Sequence, residues 1–244
     1  MATEIESVQL VAFVSGPAVA SAAALWTECL PESPFENFIT LAPGHTSASG
    51  MVGEVRVEIQ SQAQRIDLFL FGPSLPGVPQ QLPPPLPSLA KALAFGKPLF
   101  GRLRRNRAVT RLAALVGARD IVRDDEEANA KLVERTGLVL KEGSKETTFA
   151  TNVPVDSVAQ PGVKLNRLCR WNTGLLYLIQ LSPGQGMQVH QPVGSNARHL
   201  LQTVVDVNTH VDTPPAQRKE EAIVKELLDH AAAILESGYS ALSR

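Results

Sequence analysis

Seven prolines crowd residues 72–88 of this 244-residue chain, and no other feature of the sequence limits its fold so sharply. Proline lacks the N–H that a helix or ladder needs and clashes with the preceding turn. The run from Gly72 to Ser88 therefore excludes both helix interior and central strand, and favours an extended polyproline path. It reads first as a stiff connector across the surface and second as a ligand for a proline-recognising domain. On either reading it divides the chain. Residues 1–72 form an N-terminal α+β half, and residues 73–137 form the proline-rich linker with a basic helical region. Residues 138–244 form a C-terminal antiparallel sheet with a long terminal helix.

Patterning supports a strand-rich first half. Val8–Val14 is short, β-rich and apolar on both faces. Ser15-Gly16-Pro17 stops it and opens a helix, since proline suits the first helical position. That helix carries Val19, Ala22, Ala23, Trp26, Cys29 and Leu30 at helical spacing. Phe38–Leu41 is a short strand, and a Pro-, Gly- and Ser-rich loop follows to Gly50. Val55, Val57 and Ile59 alternate with Glu54, Arg56 and Glu58, the period of a half-solvated strand. Ser61–Gln64 turns the chain, and Arg65–Phe71 returns it as a hairpin.

The later residues repeat the mixture. Leu89 to about Gly137 reads as helical, with Leu112, Leu115 and Val116 as a stripe ended by Gly117. Asp124 and Glu127 have capping-box spacing, Asp125 is an equally good cap, and Gly137 is a helix terminator. Strands are expected at 138–141, 147–153, 164–171, 175–181 and 199–211, with a glycine turn at Asn172-Thr173-Gly174. Asp212-Thr213-Pro214-Pro215 opens a final helix of roughly 25 residues ended by Gly238. The class expected is α+β: two halves, each a mostly antiparallel sheet with packed helices.

Three short runs, taken in order, resemble stretches of a sporadically distributed group of uncharacterised bacterial proteins of about 250 residues. They are Gln64-Arg65-Ile66-Asp67, Leu165-Asn166-Arg167-Leu168-Cys169-Arg170-Trp171 and Val205-Asp206-Val207-Asn208-Thr209. The resemblance spans most of the chain. It implies a bacterial origin and the two-part layout, and brings no activity, cofactor or catalytic residue with it.

Charge is uneven. The chain carries a formal −1 overall, yet residues 1–80 hold −6 and residues 81–123 hold +8. No segment approaches the ~18 consecutive apolar residues of a membrane span. The start Met1-Ala2-Thr3-Glu4-Ile5-Glu6 is acidic where a secretory signal is basic. Cys29 and Cys169 lack metal spacing and read as buried free thiols, which suits a reducing compartment. The expected setting is the cytoplasm, without a membrane partner.

The sequence holds no P-loop, no G-x-S-x-G, no H-E-x-x-H and no paired C-x-x-C. Gly184-Gln185-Gly186 lacks the third glycine of a dinucleotide site. The histidines, His45, His190, His199, His210 and His230, are too scattered for a metal site, and neither metal nor cofactor is expected. The strongest candidate is the basic cluster Arg102, Arg104, Arg105, Arg107 and Arg111. On a helix, Arg104, Arg107 and Arg111 share one face and can grip phosphates or acidic groups. The plainer reading docks that helix on the acidic first half or on Asp124–Glu127. Asp206, Asn208 and His210 share one strand face and can orient a substrate or run acid–base chemistry. Their plainer role is bonding backbone at a strand end. Asn166 and Arg167 point to opposite faces, and Arg167 is expected to pair with an internal carboxylate such as Asp206. Arg65 with Asp67 reads as a surface pair of little energetic value.

The leading functional expectation is a non-enzymatic binding or regulatory protein acting through a surface, on another protein or a second copy. An enzyme with its site near Asp206 and Asn208 comes second. A nucleic-acid-associated protein using the arginine helix comes third, because the pI of about 6.5 lies far from the basic range.

Overall fold

A computed structural model of the protein describes residues 3–73, 84–177 and 197–243. The chain begins with β1 (Glu4–Ser15), α1 (Ala22–Cys29), β2 (Asn37–Ala42) and β3 (His45–Val52). It continues through β4 (Val55–Gln62), β5 (Arg65–Phe71) and α2 (Leu89–Leu103). After these come β6 (Ala108–Val122), α3 (Asp125–Thr136), β7 (Thr148–Asn152) and β8 (Val155–Asp156). The last elements are β9 (Lys164–Tyr177), β10 (Ala197–Thr209) and α4 (Glu220–Ser237), with 3-10 turns at Gln217–Lys219 and Gly238–Ser243.

The protein is α+β, but the two sheets expected from the sequence are one. Ten strands join in the order β2-β3-β4-β5-β1-β6-β10-β9-β7, with β8 also on β9, and every pairing is antiparallel. The segment expected to link two halves supplies β6, the strand that joins them. Residues 108–122 were expected to be helical because Leu112, Leu115 and Val116 have helical spacing. The decisive period is two. Leu112, Ala114, Val116 and Ala118 are fully buried on one face, and Val109, Val116, Ile121 and Val122 favour extended backbone. Gly117 is no helix end; a Cβ there would meet Ser7 Oγ at 3.0 Å on the neighbouring strand.

Connections run in the same order through two units. In each, a first strand leads to a helix, then to a meander whose last strand returns beside the first, then to a closing helix. β1 and β6, the two first strands, pair with each other along Glu4–Ser15. All four helices feed one core. Val8, Leu10, Leu68 and Leu70 meet Leu99 and Phe100 of α2, and Leu112, Val205 and Val207 meet Ile223, Leu227 and Ile234 of α4. Full burial of one such side chain contributes ~1.5–3 kcal/mol. The other sheet face carries no helix among the described residues.

Several boundaries differ from expectation for local reasons. β3 lay in the expected loop, because Ser47, Ala48, Ser49 and Gly50 are weak strand formers that the sheet nevertheless pairs. Leu138–Lys141 is not a strand, and β9 runs straight through Asn172-Thr173-Gly174 instead of turning there. α1 starts at Ser21, whose hydroxyl accepts from Ala24 N–H, rather than at Pro17. α4 is 18 residues long, because the chain after Pro215 first forms a 3-10 turn. Asp124 caps α3 as expected, accepting from Glu127 N–H, and Gly137 ends that helix at φ 70°. Most of the proline run, together with His190 and Gly184-Gln185-Gly186, lies outside the described residues. Its described end folds back on the sheet: Leu86 N–H donates to Ile5 O. Gly72 must be glycine, since a Cβ there would sit 2.2 Å from Pro84 O.

Candidate functional site

α2 ends where Arg104 takes a bridge conformation and Asn106, at φ 61°, reverses the chain into β6. The start of α4 lies alongside. Arg104 and Glu220 form an ion pair between the two helices, with side chains 8% and 4% exposed. Burial pushes the Glu220 carboxyl up, and its bond to Arg104 opposes that rise. The Arg104 guanidinium also lies 5.8 Å from the Phe100 ring.

Above this pair opens a groove of about 790 Å³. Lys97, Arg102, Arg105 and Arg107 line it from the α2 side, and Arg218, Glu221 and Lys225 from the α4 side. Lys225 is held by Asp229 at 2.5 Å. Arg107 is spent locally, donating to the Leu103 and Arg105 carbonyls and standing 3.8 Å from Glu28. Lys97, Arg102, Arg105 and Arg218 make no ion pair among the described residues, and the three arginines are exposed. A second hollow of about 570 Å³ shares Arg105, Asn106 and Arg107, so the turn forms a saddle between the two. Clustered cations over partly apolar walls focus a positive potential outward.

The expected cluster is therefore divided. Arg102, Arg104, Arg105 and Arg107 gather at the α2 terminus, whereas Arg111 sits on β6 with its side chain on the helix-free face. The shared helical face of Arg104, Arg107 and Arg111 does not exist, because the helix ends before Arg104. Docking on the acidic first half reduces to the long Arg107–Glu28 contact. Sequence reasoning missed Lys97, Arg218 and Lys225. Lys97 stood in plain view as a basic residue about one and a half helical turns before Arg102, but no local signal points from Arg105 to Arg218.

The helix-free face brings together the three runs that carried the family resemblance. Arg65 binds both carboxylate oxygens of Asp67 through Nε at 3.1 and 2.8 Å, and Nη2 adds a bond of 2.7 Å. Gln9 donates to the same carboxylate at 2.7 Å. Asp67 is 1% exposed, so this is a buried carboxylate fully engaged rather than a surface pair. Next along the sheet, Phe13 lies between two guanidinium groups, Arg65 at 5.3 Å and Arg111 at 5.4 Å. Arg111 Nη2 donates to Asn208 Oδ1 at 2.8 Å, Asn166 Nδ2 donates to the same oxygen at 3.1 Å, and Asn208 Nδ2 donates to Asp206 at 2.8 Å. These bonds tie β5, β1, β6, β10 and β9 sideways, as cross-strand pairs do.

Two expected partners fall elsewhere. His210 lies beyond the end of β10, 3.4 Å from Asp212, and does not join Asp206 and Asn208. Arg167 faces the helices and is 3% exposed. It donates to the carbonyls of Val153, Ala241 and Leu242 instead of pairing with Asp206, which lies across the sheet. The alternation of β9 and β10 decides this, since paired residues share a face and Asp206 stands opposite Leu168. Cys29 and Cys169 are buried free thiols, and burial pushes Cys169 up to about 12. No group of three His, Cys, Asp or Glu residues suited to a metal ion occurs among the described residues. No known protein-family model matches the chain, and no curated protein matches it significantly.

Proposed function

We propose that the protein is a binding module of the bacterial cytoplasm, holding an acidic segment of a partner protein in the groove between α2 and α4. One observation carries this reading: Lys97, Arg102, Arg105 and Arg218 surround an open groove and make no ion pair among the described residues, with Glu221 the one exposed carboxylate in its wall. Arginine offers a planar fork for carboxylates, and a charge-assisted bond of this kind is roughly twice as strong as a neutral one. Two hollows joined at the 105–107 saddle suit an extended chain better than a compact ion.

A nucleic acid is the rival anion. It would be expected to find aromatic rings among the cations for stacking, yet Phe100 beside the groove is 1% exposed. An enzyme at Asp206 and Asn208 draws less support, because Asn208 spends its amide on Arg111, Asn166 and Asp206. The reducing setting rests on the two free buried thiols.

Fluorescence anisotropy with labelled oligoglutamate and a labelled single-stranded oligonucleotide of equal charge tests the proposal. At about 50 mM salt the peptide is expected to bind with micromolar Kd and to weaken several-fold at about 200 mM, as screened charges do. Arg102→Glu with Arg105→Glu should abolish binding and leave the thermal midpoint unchanged, since both side chains are exposed and unpaired. Absence of peptide binding at low salt defeats the reading, and tighter binding of the oligonucleotide transfers the groove to nucleic acid.

A further inference from the structure

The saddle at residues 105–107 separates two walls of different chemistry. Asn106 takes the left-handed backbone that asparagine tolerates. Around it the turn is closed on itself. Arg105 N–H donates to Arg102 O at 3.1 Å, Arg107 N–H donates to Arg104 O at 3.2 Å, and Arg107 Nη1 donates to Arg105 O at 3.0 Å. The Arg105 backbone is thus held on both sides, and its exposed side chain borders both hollows.

On the α2–α4 side the wall adds Lys97, Arg102, Arg218 and Lys225. Past the shared turn, the wall of the second hollow holds no cation among the described residues. Its single charge is the exposed Glu28 carboxylate, and the rest is Ser15 with the apolar Val14, Pro17, Ala18, Val19, Ala20 and Ala108. This wall follows from the way β1 ends. Gly16, at φ 108°, turns the chain out of the strand, and residues 17–20 run on without helix or strand. Val19 N–H donates to Ala63 O at 3.1 Å and Ala20 O accepts from Ser61 Oγ at 2.5 Å, which pins the segment to the β4–β5 hairpin. Its side chains are small, so a hollow of about 570 Å³ stays open beside them.

We infer that the bound acidic segment carries an aliphatic side chain directly beside its acidic run and seats it in this second hollow, an assignment that rests on the groove reading proposed above. Arg105 holds the carboxylate at the crossing. The charge pattern selects this occupant. A carboxylate carried past the saddle would leave the cations behind and meet Glu28, whose like charge disfavours it. A cation there would face Arg105 and Arg107 on the shared rim. A neutral group fits, and the apolar wall favours an aliphatic one, which covers the exposed Pro17, Ala18 and Ala20 and releases water from both surfaces. The partner is therefore acidic on one side of the saddle and apolar on the other. Charge brings it in, and the aliphatic residue sets its register where a uniformly acidic chain would slide.

The test compares two labelled, end-blocked peptides by fluorescence anisotropy: oligoglutamate with two leucines at one end, and the same peptide with two serines, each made in both chain directions. In the favoured direction the leucine peptide should bind about tenfold tighter, as expected for an aliphatic side chain largely withdrawn from water. That ratio should hold between about 50 and 200 mM salt while both affinities fall, because screening acts on charges and not on apolar contact. Ala18→Gln with Ala20→Gln fills the hollow with neutral polar side chains and should bring the two peptides to equal affinity, with an unchanged thermal midpoint as the check on folding. Equal affinity of the two peptides for the wild type overturns this assignment and leaves the groove reading standing, whereas binding by neither defeats both. A leucine preference that survives in the double variant also overturns the assignment, since the side chain then lies elsewhere.

Discussion

The two units of the sheet share one order of connections and diverge in what their ends carry. In the first, the closing helix α2 finishes in Arg102 and the basic turn 104–107, and the outer strand β2 pairs only with β3 among the described residues. In the second, the closing helix α4 finishes against its neighbours. Gly238, at φ 63°, lets the end of α4 approach Arg135 O, where a Cβ would come within 2.2 Å. Arg135 in turn donates to the Leu235 and Glu236 carbonyls. The terminal 3-10 turn then supplies the carbonyls that hold Arg167. The same scaffold thus leaves Arg102 and Arg105 exposed at the end of one closing helix and spends Arg135 and Arg167 on carbonyls around the end of the other.

Removing the second unit's cover should have the largest effect. Ending the chain before Pro214 deletes Ile223, Val224, Leu227, Leu228 and Ile234 from the core and strips Arg167 of two of its carbonyls. Each lost apolar side chain forfeits ~1.5–3 kcal/mol, so no cooperative thermal transition should remain by circular dichroism. A transition retained by the first unit alone would make the units independent and break the comparison.

Breaking the clasp between the closing helices comes next. Arg104→Ala leaves Glu220 buried without its partner, a change that costs about 3–5 kcal/mol. In a chain of this size that lowers the thermal midpoint by on the order of 10 °C. The double variant Arg104→Leu with Glu220→Leu should recover most of the loss. A midpoint unmoved by Arg104→Ala would mean that the basic turn is not anchored to α4.

The smallest effect is a pH dependence in the second unit. Burial, assisted by the charge of Arg167, holds the His230 imidazole below its ordinary 6.5. A depressed histidine contributes stability that is present above about pH 6.5 and lost as pH falls through its folded value. His230→Gln should therefore flatten the fall in thermal midpoint between about pH 7 and pH 5. An unchanged slope would assign that fall to carboxylates instead.

Local signals located most elements that carry their own pattern. The alternation of Val55, Val57 and Ile59 gave β4, Asp124 and Gly137 bounded α3, and the stripe at Ile223 and Leu227 gave the buried face of α4. They failed at β6, where alanines and a glycine fit a helical stripe and an alternating strand alike. With β6 read as helix the sheet fell apart into two, and Arg111 was drawn into the wrong cluster. Of the candidate site, the arginines at 102–107 were legible as a charge run, while Arg218 and Lys97 belonged to it only through the meeting of α2 and α4. The convergence of Arg65, Asp67, Asn166, Asp206 and Asn208 likewise needed strand order, which no single strand encodes.

By itself the sequence determined which segments alternate, where helices are capped, that the cysteines lie in apolar surroundings and that the middle of the chain is basic. These follow from side-chain period, backbone chemistry and composition, all of which act over a few residues. Only the tertiary structure decided that ten strands form one sheet, that β2 is its outermost strand on one side, and which cations make no ion pair among the described residues. Those properties depend on which distant segments bury one another's apolar faces, and the free energy of that choice is summed over the whole core rather than written in any one stretch of it.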